Sequence, residues 1–256
     1  MLKMRKPAVA GLFYPDDPQE LREMLSGFLA EARPAGEVPK AIIVPHAGFI
    51  YSGPIAANAY AQLGPGRAWI RRVVLLGPSH RVPFHGLAMS GAEAFQTPLG
   101  EVLLDRQALE QIRDLPQVQQ LEAAHASEHS LEVQLPFLQS VLDDFRLVPL
   151  VVGDATSDEV AEVLQRLWGG KETVIVISSD LSHYHDYLTA QRMDQATSQA
   201  IVSLHPESIG DEDACGRIPV KGLLNLARRE GLEGRLIDLR SSGAVSYTHL
   251  RAHETT

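Results

Sequence analysis

The chain has 256 residues, of which 45% are hydrophobic and 21% charged, as expected for one large or two small globular domains. Its formal net charge of -9 disfavours a nucleic-acid-binding surface, which normally carries a basic excess. The single cysteine excludes an intramolecular disulfide and favours a reducing, cytoplasmic compartment. No apolar run has the length of a signal peptide or a membrane helix.

Short apolar segments alternate with helical patterns along the chain, which is typical of a parallel sheet buried on both faces. The turn signal Thr97-Pro98-Leu99-Gly100 predicts a hairpin insertion, and Pro136 is expected to kink its helix. We therefore predict a single α/β domain over residues 1–243, with a mostly parallel central sheet flanked by helices and a β-hairpin insertion. In chain order the predicted elements are helix 18–31, strand 40–44, helix 54–63, strand 72–76, a hairpin within 86–104, helix 128–142, strand 145–152, helix 157–168, strand 173–177, helix 188–204, loop 205–217, helix 220–230 and strand 235–239.

Three of the predicted strands lead into histidine-containing motifs. His46 follows the first, His80 the second, and Asp180 and His183 the third of these strands. If these strands are parallel neighbours, their carboxyl ends converge on one crevice, where imidazoles could bind a divalent metal. A single histidine of this kind is more often a hydrogen-bonded loop residue, but three such strand ends in one chain favour a site.

Cys215 directly precedes a predicted helix, and Arg217 follows it closely. Both features favour the thiolate, which is the form that binds metal or attacks a substrate. A small buried hydrophobic residue is an equally good interpretation of a lone cysteine.

His129 and Glu132 lie three residues apart on a predicted helix and would therefore share one face. Such a pair could share a proton or orient a substrate, although a surface capping pair after Ser127 fits the sequence as well. Asp180 could orient His183 and raise its basicity, as carboxylates do for general bases.

Five short motifs in this order resemble those of the Memo-like family, over residues 9–243. They are Pro45-His46-Ala47-Gly48 with Tyr51-Ser52-Gly53, Leu76-Gly77-Pro78-Ser79-His80, Glu128-His129-Ser130-Leu131-Glu132 with Leu135-Pro136-Phe137, Ser178-Ser179-Asp180-Leu181-Ser182-His183-Tyr184, and Cys215-Gly216-Arg217. In prokaryotes, proteins of this family are named component B of the AmmeMemoRadiSam system. The resemblance implies a fold similar to class III extradiol dioxygenases, which use non-haem iron(II).

The resemblance also implies residue roles. It implies that His46, His80 and Cys215 are the metal ligands, and that Asp180 and His183 line the same pocket. A usual non-haem iron(II) oxygenase has two histidines and one carboxylate, whereas a thiolate would also suit copper(I) or zinc. Dioxygenase activity therefore does not follow from the fold.

These observations lead to a first hypothesis, an iron(II)-dependent oxidoreductase that acts on a small aromatic or oxygen-rich substrate, with copper or zinc as alternative metals. His183, oriented by Asp180, would be the catalytic acid and base, and His129 and Tyr51 would contact the substrate. The alternative is a non-catalytic metal- or peptide-binding partner in a radical-enzyme system. A hydrolase-like α/β protein with incidental histidines is a third interpretation. None of the three involves nucleic acid or a membrane.

Residues 244–256 show no helix or strand pattern and resemble translated adapter sequence. We interpret them as a non-native tail and give no ligand role to His249 or His253 within it. The family usually continues here with a closing strand, so we expect one sheet strand to be missing.

Overall fold

Parallel strands with buried side chains form the centre of the fold. The computed structural model describes residues 3–34, 36–182 and 187–240. Its strands are β1 (Met4–Arg5), β2 (Ala41–Val44), β3 (Arg72–Pro78), β4 (Leu87–Met89), β5 (Ala94–Thr97), β6 (Gly100–Leu103), β7 (Val118–Gln120), β8 (Arg146–Val152) and β9 (Thr173–Ser178). The main sheet has the order β2-β9-β3-β8-β4-β7. Its first four strands are mutually parallel, β4 is antiparallel to β8, and β7 is parallel to β4. The predicted mostly parallel sheet is confirmed.

Helices connect and cover these strands. They are α1 (Pro18–Glu31), α2 (Phe49–Ala61), α3 (Arg106–Glu110), α4 (Glu122–Ala126), α5 (Leu135–Val141), α6 (Ser157–Arg166), α7 (Tyr187–Val202) and α8 (Arg217–Arg229), with short 3-10 turns at Gly64–Gly66, Glu132–Gln134 and Pro206–Ser208. The predicted start of α1 is confirmed, because the Asp17 side chain accepts hydrogen bonds from the first backbone N–H groups. Among the described residues, no helix is long and apolar enough to cross a membrane.

The burial pattern of β9 agrees with its position between two other strands of the sheet. Every residue of β9 is buried, and β9 pairs with β2 on one side and β3 on the other. Such a strand has no solvent-facing side, so a continuously apolar sequence suits it and an alternating one would not. The carboxyl ends of β2, β9 and β3 therefore lie side by side.

The predicted hairpin is confirmed at β5 and β6, which pair antiparallel with Thr97 opposite Gly100. Together with β1 they form a separate three-stranded sheet. The first part of the segment 86–104 behaves differently, since β4 joins the main sheet beside β8.

Close packing between two late helices fixes the chain around Cys215. A Cβ added to Gly222 of α8 would lie 2.4 Å from Cγ1 of Val160 of α6, so the two helices approach at a glycine. At the start of α8, a Cβ on Gly216 would lie 2.6 Å from Cβ of Ser179. This contact brings the residue after Cys215 against the end of β9.

Two helix predictions need correction. The helix predicted over 54–63 begins at Phe49 and includes Pro54 in its interior. The helix predicted over 128–142 is wrong in its first half, because residues 128–131 are not helical and only a 3-10 turn at Glu132–Gln134 precedes α5. Pro136 lies in the first turn of α5, where its missing N–H costs no hydrogen bond, and therefore starts a helix instead of kinking one.

The strand predicted over 235–239 is wrong. This segment is irregular, and Leu236 and Ile237 remain 51% and 41% exposed. It is attached by side chains instead of a backbone ladder, since the Asn58 amide donates to Asp238 at 2.7 Å. Residues 183–186, which include His183, and the predicted tail 244–256 lie outside the described residues.

Candidate metal centre

Three adjacent strand ends bring the sequence-predicted residues together. His46 follows β2 by two residues, His80 follows β3, and Asp180 follows β9. The imidazole rings of His46 and His80 lie 5.1 Å apart between centroids. The predicted convergence of these strand ends is confirmed.

His46, His80 and Cys215 form a group whose nitrogen and sulfur atoms can face one ion. One ligand atom from each lies within 4.8 Å of the others, and Cys215 Sγ lies 3.3 Å from His46 Nε2. Ligands bound tetrahedrally at about 2.0–2.3 Å would be separated by roughly 3.4–3.8 Å. The Sγ–Nε2 distance lies just below this range and the other separations are at most about 1 Å above it, so small side-chain shifts would let two imidazoles and a thiolate bind a single divalent ion.

Burial keeps His46 neutral. The ring is 2% exposed, and burial lowers its pKa to about 4 against the opposing effect of Asp180. Its backbone N–H donates to Asp180 Oδ1 at 2.7 Å, which fixes the turn after β2. A neutral imidazole has an available lone pair at pH 7, as metal binding requires.

The Cys215 thiol sits in contact with the backbone of Asp180. The Asp180 N–H donates to Sγ at 3.3 Å, and the Cys215 N–H donates to the Asp180 carbonyl. Burial, followed by the charge of Asp180, raises the pKa of the thiol to about 12. In the absence of a metal ion these surroundings favour the thiol over the predicted thiolate, and the Arg217 guanidinium pairs with Asp211. A metal ion would have to displace the thiol proton.

Glu128 is a site residue that the sequence analysis missed. Its Oε1 lies 2.9 Å from His80 Nδ1, and its Oε2 accepts from the His80 backbone N–H at 2.6 Å. Burial opposes ionisation of Glu128, but the hydrogen bonds from His80 and Ser130 outweigh it and lower its pKa to about 2. When one ring nitrogen of a histidine binds a metal, the other commonly donates its hydrogen to a carboxylate, and Glu128 lies where such a carboxylate would be. In the sequence, the only indication of this role was that Glu128 precedes His129 in the third motif.

His129 lies beside the two other imidazoles. Its ring stacks on His80 at 4.6 Å and lies 4.8 Å from the ring of Phe13, between centroids. Burial lowers its pKa, so the ring is neutral at pH 7. His80, Glu128 and His129 make a second group of potential ligands that shares His80 with the first.

The predicted pairing of His129 with Glu132 is wrong. Since residues 128–131 are not helical, residues three apart do not share a face, and His129 Nδ1 lies 3.4 Å from Glu128 instead. Glu132 is fully buried on the other side and accepts from the Arg5 guanidinium and from the Tyr14 hydroxyl. The surface capping alternative fails for the same reason.

Two of the remaining predicted residues, Tyr51 and Asp180, are among the residues that the structure describes. Tyr51 is in the first turn of α2 and is 44% exposed, next to Gly48. Asp180 binds the backbone of His46 and contacts Cys215, as described above. His183, its predicted catalytic partner, is outside the described residues.

Comparison with known proteins agrees with the motif pattern. The family model described as Memo-like protein matches residues 5–252. This chain belongs to the Memo family. A MEMO1 family protein from Aquifex aeolicus is 36% identical over 94% of the chain and 93% of its own length. A MEMO1 family protein from Thermoplasma acidophilum is also 36% identical, over 95% and 93% respectively.

Among solved structures, the Memo chain is similar to an uncharacterized protein from Escherichia coli, at 13% identity and a TM-score of 0.42. The match covers 67% of this chain and 81% of the other. A similarity this low supports no conclusion on fold or activity. The predicted likeness of this Memo chain to class III extradiol dioxygenases stays a prediction.

Proposed function

We propose that this protein is a metal-binding member of the Memo family and a non-haem iron-dependent oxidoreductase. The observation that carries the proposal is the group of His46, His80 and Cys215, whose potential ligand atoms lie within 4.8 Å of one another. Iron(II) is the first choice of metal, with copper or zinc as alternatives because thiolate is a soft ligand. A bound iron would supply Lewis acidity and one-electron redox chemistry.

The surrounding side chains are suited to hold a substrate beside the ligands. His129 is a neutral imidazole fixed between Phe13 and His80, so it can accept a hydrogen bond or proton from a substrate hydroxyl. Tyr51 is exposed near the start of α2, five residues after His46, and could contact the same molecule. We assign acid and base catalysis to His183, oriented by Asp180. A small aromatic or oxygen-rich molecule fits this set of groups.

A second function is favoured by one feature of the ligands. Cys215 replaces the carboxylate of a usual non-haem iron(II) oxygenase, and a set of two imidazoles and a thiolate also suits zinc or copper(I). In that case the chain would be a non-catalytic metal- or peptide-binding partner in a radical-enzyme system, in the cytoplasm.

Metal content of anaerobically purified protein tests the proposal. We expect about one ion per chain in the parent. In His46→Ala, His80→Ala and Cys215→Ser we expect metal affinity to fall by more than about 100-fold, which is the largest loss usually seen when only a hydrogen-bond partner of a ligand is removed. His85→Ala is the matched control, because that side chain is 91% exposed and outside the group. Full metal content in all three ligand variants would refute the site.

Oxygen uptake by the iron(II)-loaded protein then separates the two functions. We expect uptake with at least one catechol or related oxygen-rich compound, and none in Cys215→Ser. Bound metal without any uptake, together with a stoichiometric complex recovered from native cells, would favour the partner function instead.

A further inference from the structure

The buried hydroxyl of Ser178, the last residue of β9, contacts three groups at once. Its Oγ lies 2.8 Å from His46 Nδ1, 2.9 Å from Gln134 Nε2 and 2.6 Å from the Ser130 carbonyl oxygen. Ser178 is completely buried, so water does not compete for these contacts. A hydroxyl has one hydrogen to donate and can accept two, so the identity of the group that receives this hydrogen decides which nitrogen of His46 is protonated.

The side-chain amide of Gln134 has a defined orientation. Its Nε2 lies 2.9 Å from the Pro45 carbonyl oxygen, which can only accept, and its Oε1 lies 2.8 Å from the hydroxyl of Tyr60. The nitrogen must therefore face Pro45, and the Tyr60 hydroxyl donates to the oxygen. The second amide hydrogen of Gln134 is then donated to Ser178.

The direction of the remaining contacts follows. The Ser130 carbonyl can only accept, so it receives the single hydrogen of the Ser178 hydroxyl. Ser178 must then accept from His46, which places a hydrogen on Nδ1 of the imidazole. The lone pair of Nε2 consequently faces Cys215 Sγ at 3.3 Å, the direction from which a metal would bind.

We propose that Gln134 and Ser178 are positioning residues that hold His46 as its Nδ1–H tautomer and so present Nε2 to the metal. The metal part of this inference rests on the proposed function. The tautomer itself does not, because it follows from hydrogen-bond directions among protein groups alone. The backbone carbonyls of Pro45 and Ser130 can only accept, and this fixes the direction of every hydrogen bond between Gln134, Ser178 and His46.

Nitrogen-15 NMR of the histidine side chains tests this directly. In the chelator-treated parent near pH 7.5, the His46 resonances should show Nδ1 bearing hydrogen and Nε2 without it. In Ser178→Ala the Nε2–H form should become populated, and zinc affinity should fall about 10- to 100-fold. Ser90→Ala is the matched control: it also removes a buried hydroxyl, one that donates to Glu122 away from the site, and should leave both readouts at the parent values.

The outcomes are separable. A parent His46 protonated on Nε2 would overturn the proposal even if Ser178→Ala does not fold. An unchanged tautomer and zinc affinity in folded Ser178→Ala would overturn the positioning role. A parent that has the expected tautomer but binds no metal would support the hydrogen-bond assignment and contradict the proposed function.

Discussion

Glu128 and Glu132 lie four residues apart, are almost completely buried, and act on different parts of the molecule. Glu128 accepts hydrogen bonds from His80 and from the backbone around it, at the strand ends. Glu132 accepts from Arg5, Tyr14 and the backbone N–H of Val9, and so attaches the N-terminal segment. One carboxylate orients a proposed metal ligand, and the other stabilises the fold. Sequence position and residue type alone do not distinguish them.

Replacing Glu132 should give the largest effect. Glu132→Gln leaves the Arg5 guanidinium, which is 6% exposed, buried without its ionic partner. We expect a loss of about 3–5 kcal/mol in the free energy of unfolding. Metal affinity of the folded variant should equal that of the parent. Urea denaturation measures the loss, and the double variant Arg5→Met with Glu132→Gln should recover part of it. A loss below about 1 kcal/mol would contradict the structural role.

Acid should weaken the contribution of Glu128 to the free energy of unfolding. Its pKa is about 2 in the folded protein against an ordinary value of 4.5, so its stabilisation is complete above pH 4.5 and is lost as the pH falls towards 2. The stability difference between the parent and Glu128→Gln should therefore narrow by about 3 kcal/mol over this range. Chemical denaturation at several pH values measures this difference. A difference that stays constant with pH would show that Glu128 is not held ionised by its contacts.

At neutral pH, Glu128→Gln should also weaken metal binding, in addition to its effect on stability. The amide keeps a hydrogen-bond acceptor for His80 but loses the negative charge that increases the donor strength of the imidazole. Zinc affinity should fall about 10- to 100-fold, which corresponds to about 1.4–2.8 kcal/mol. Competition with a chelator measures this, with Glu132→Gln as the buried-glutamate control. Equal affinity in the parent and Glu128→Gln would assign both glutamates to the fold.

The smallest effect is expected for an ion pair of the same chemistry at the surface. Arg67 and Asp143 pair at 2.6 Å, but their side chains are 58% and 48% exposed. Asp143→Asn should change the free energy of unfolding by less than about 1 kcal/mol, because water solvates both charges well. Thermal or urea denaturation of Asp143→Asn and Glu132→Gln, measured side by side, would show how much burial of an ion pair adds to its contribution to the free energy of unfolding. A loss as large as that of Glu132→Gln would contradict this explanation.

The sequence is sufficient to predict the features that depend on local patterns. Continuous apolar segments give β2, β3, β8 and β9, and parallel pairing then places His46, His80 and Asp180 at one edge. The role of Glu128 could not be predicted this way, because it depends on a nonhelical turn over residues 128–131. The spacing of apolar residues in this segment instead suggests a helix.

Long-range contacts account for the other failures. Ser178 and Gln134 are 44 residues apart, and only the folded chain brings their polar groups together. The Cys215 pKa depends on burial and on Asp180, whereas the neighbouring sequence suggests a thiolate. The apolar residues of 235–239 suggest a strand, but in the described structure this segment pairs with no strand.

X-ray absorption spectroscopy of the anaerobically zinc-loaded protein tests the central claim most directly. We predict one sulfur atom at about 2.3 Å and at least two imidazole nitrogens at about 2.0–2.1 Å from the metal, with the sulfur lost in Cys215→Ser. A zinc site surrounded only by nitrogen and oxygen in the parent would contradict the assignment of Cys215, and with it the proposed centre.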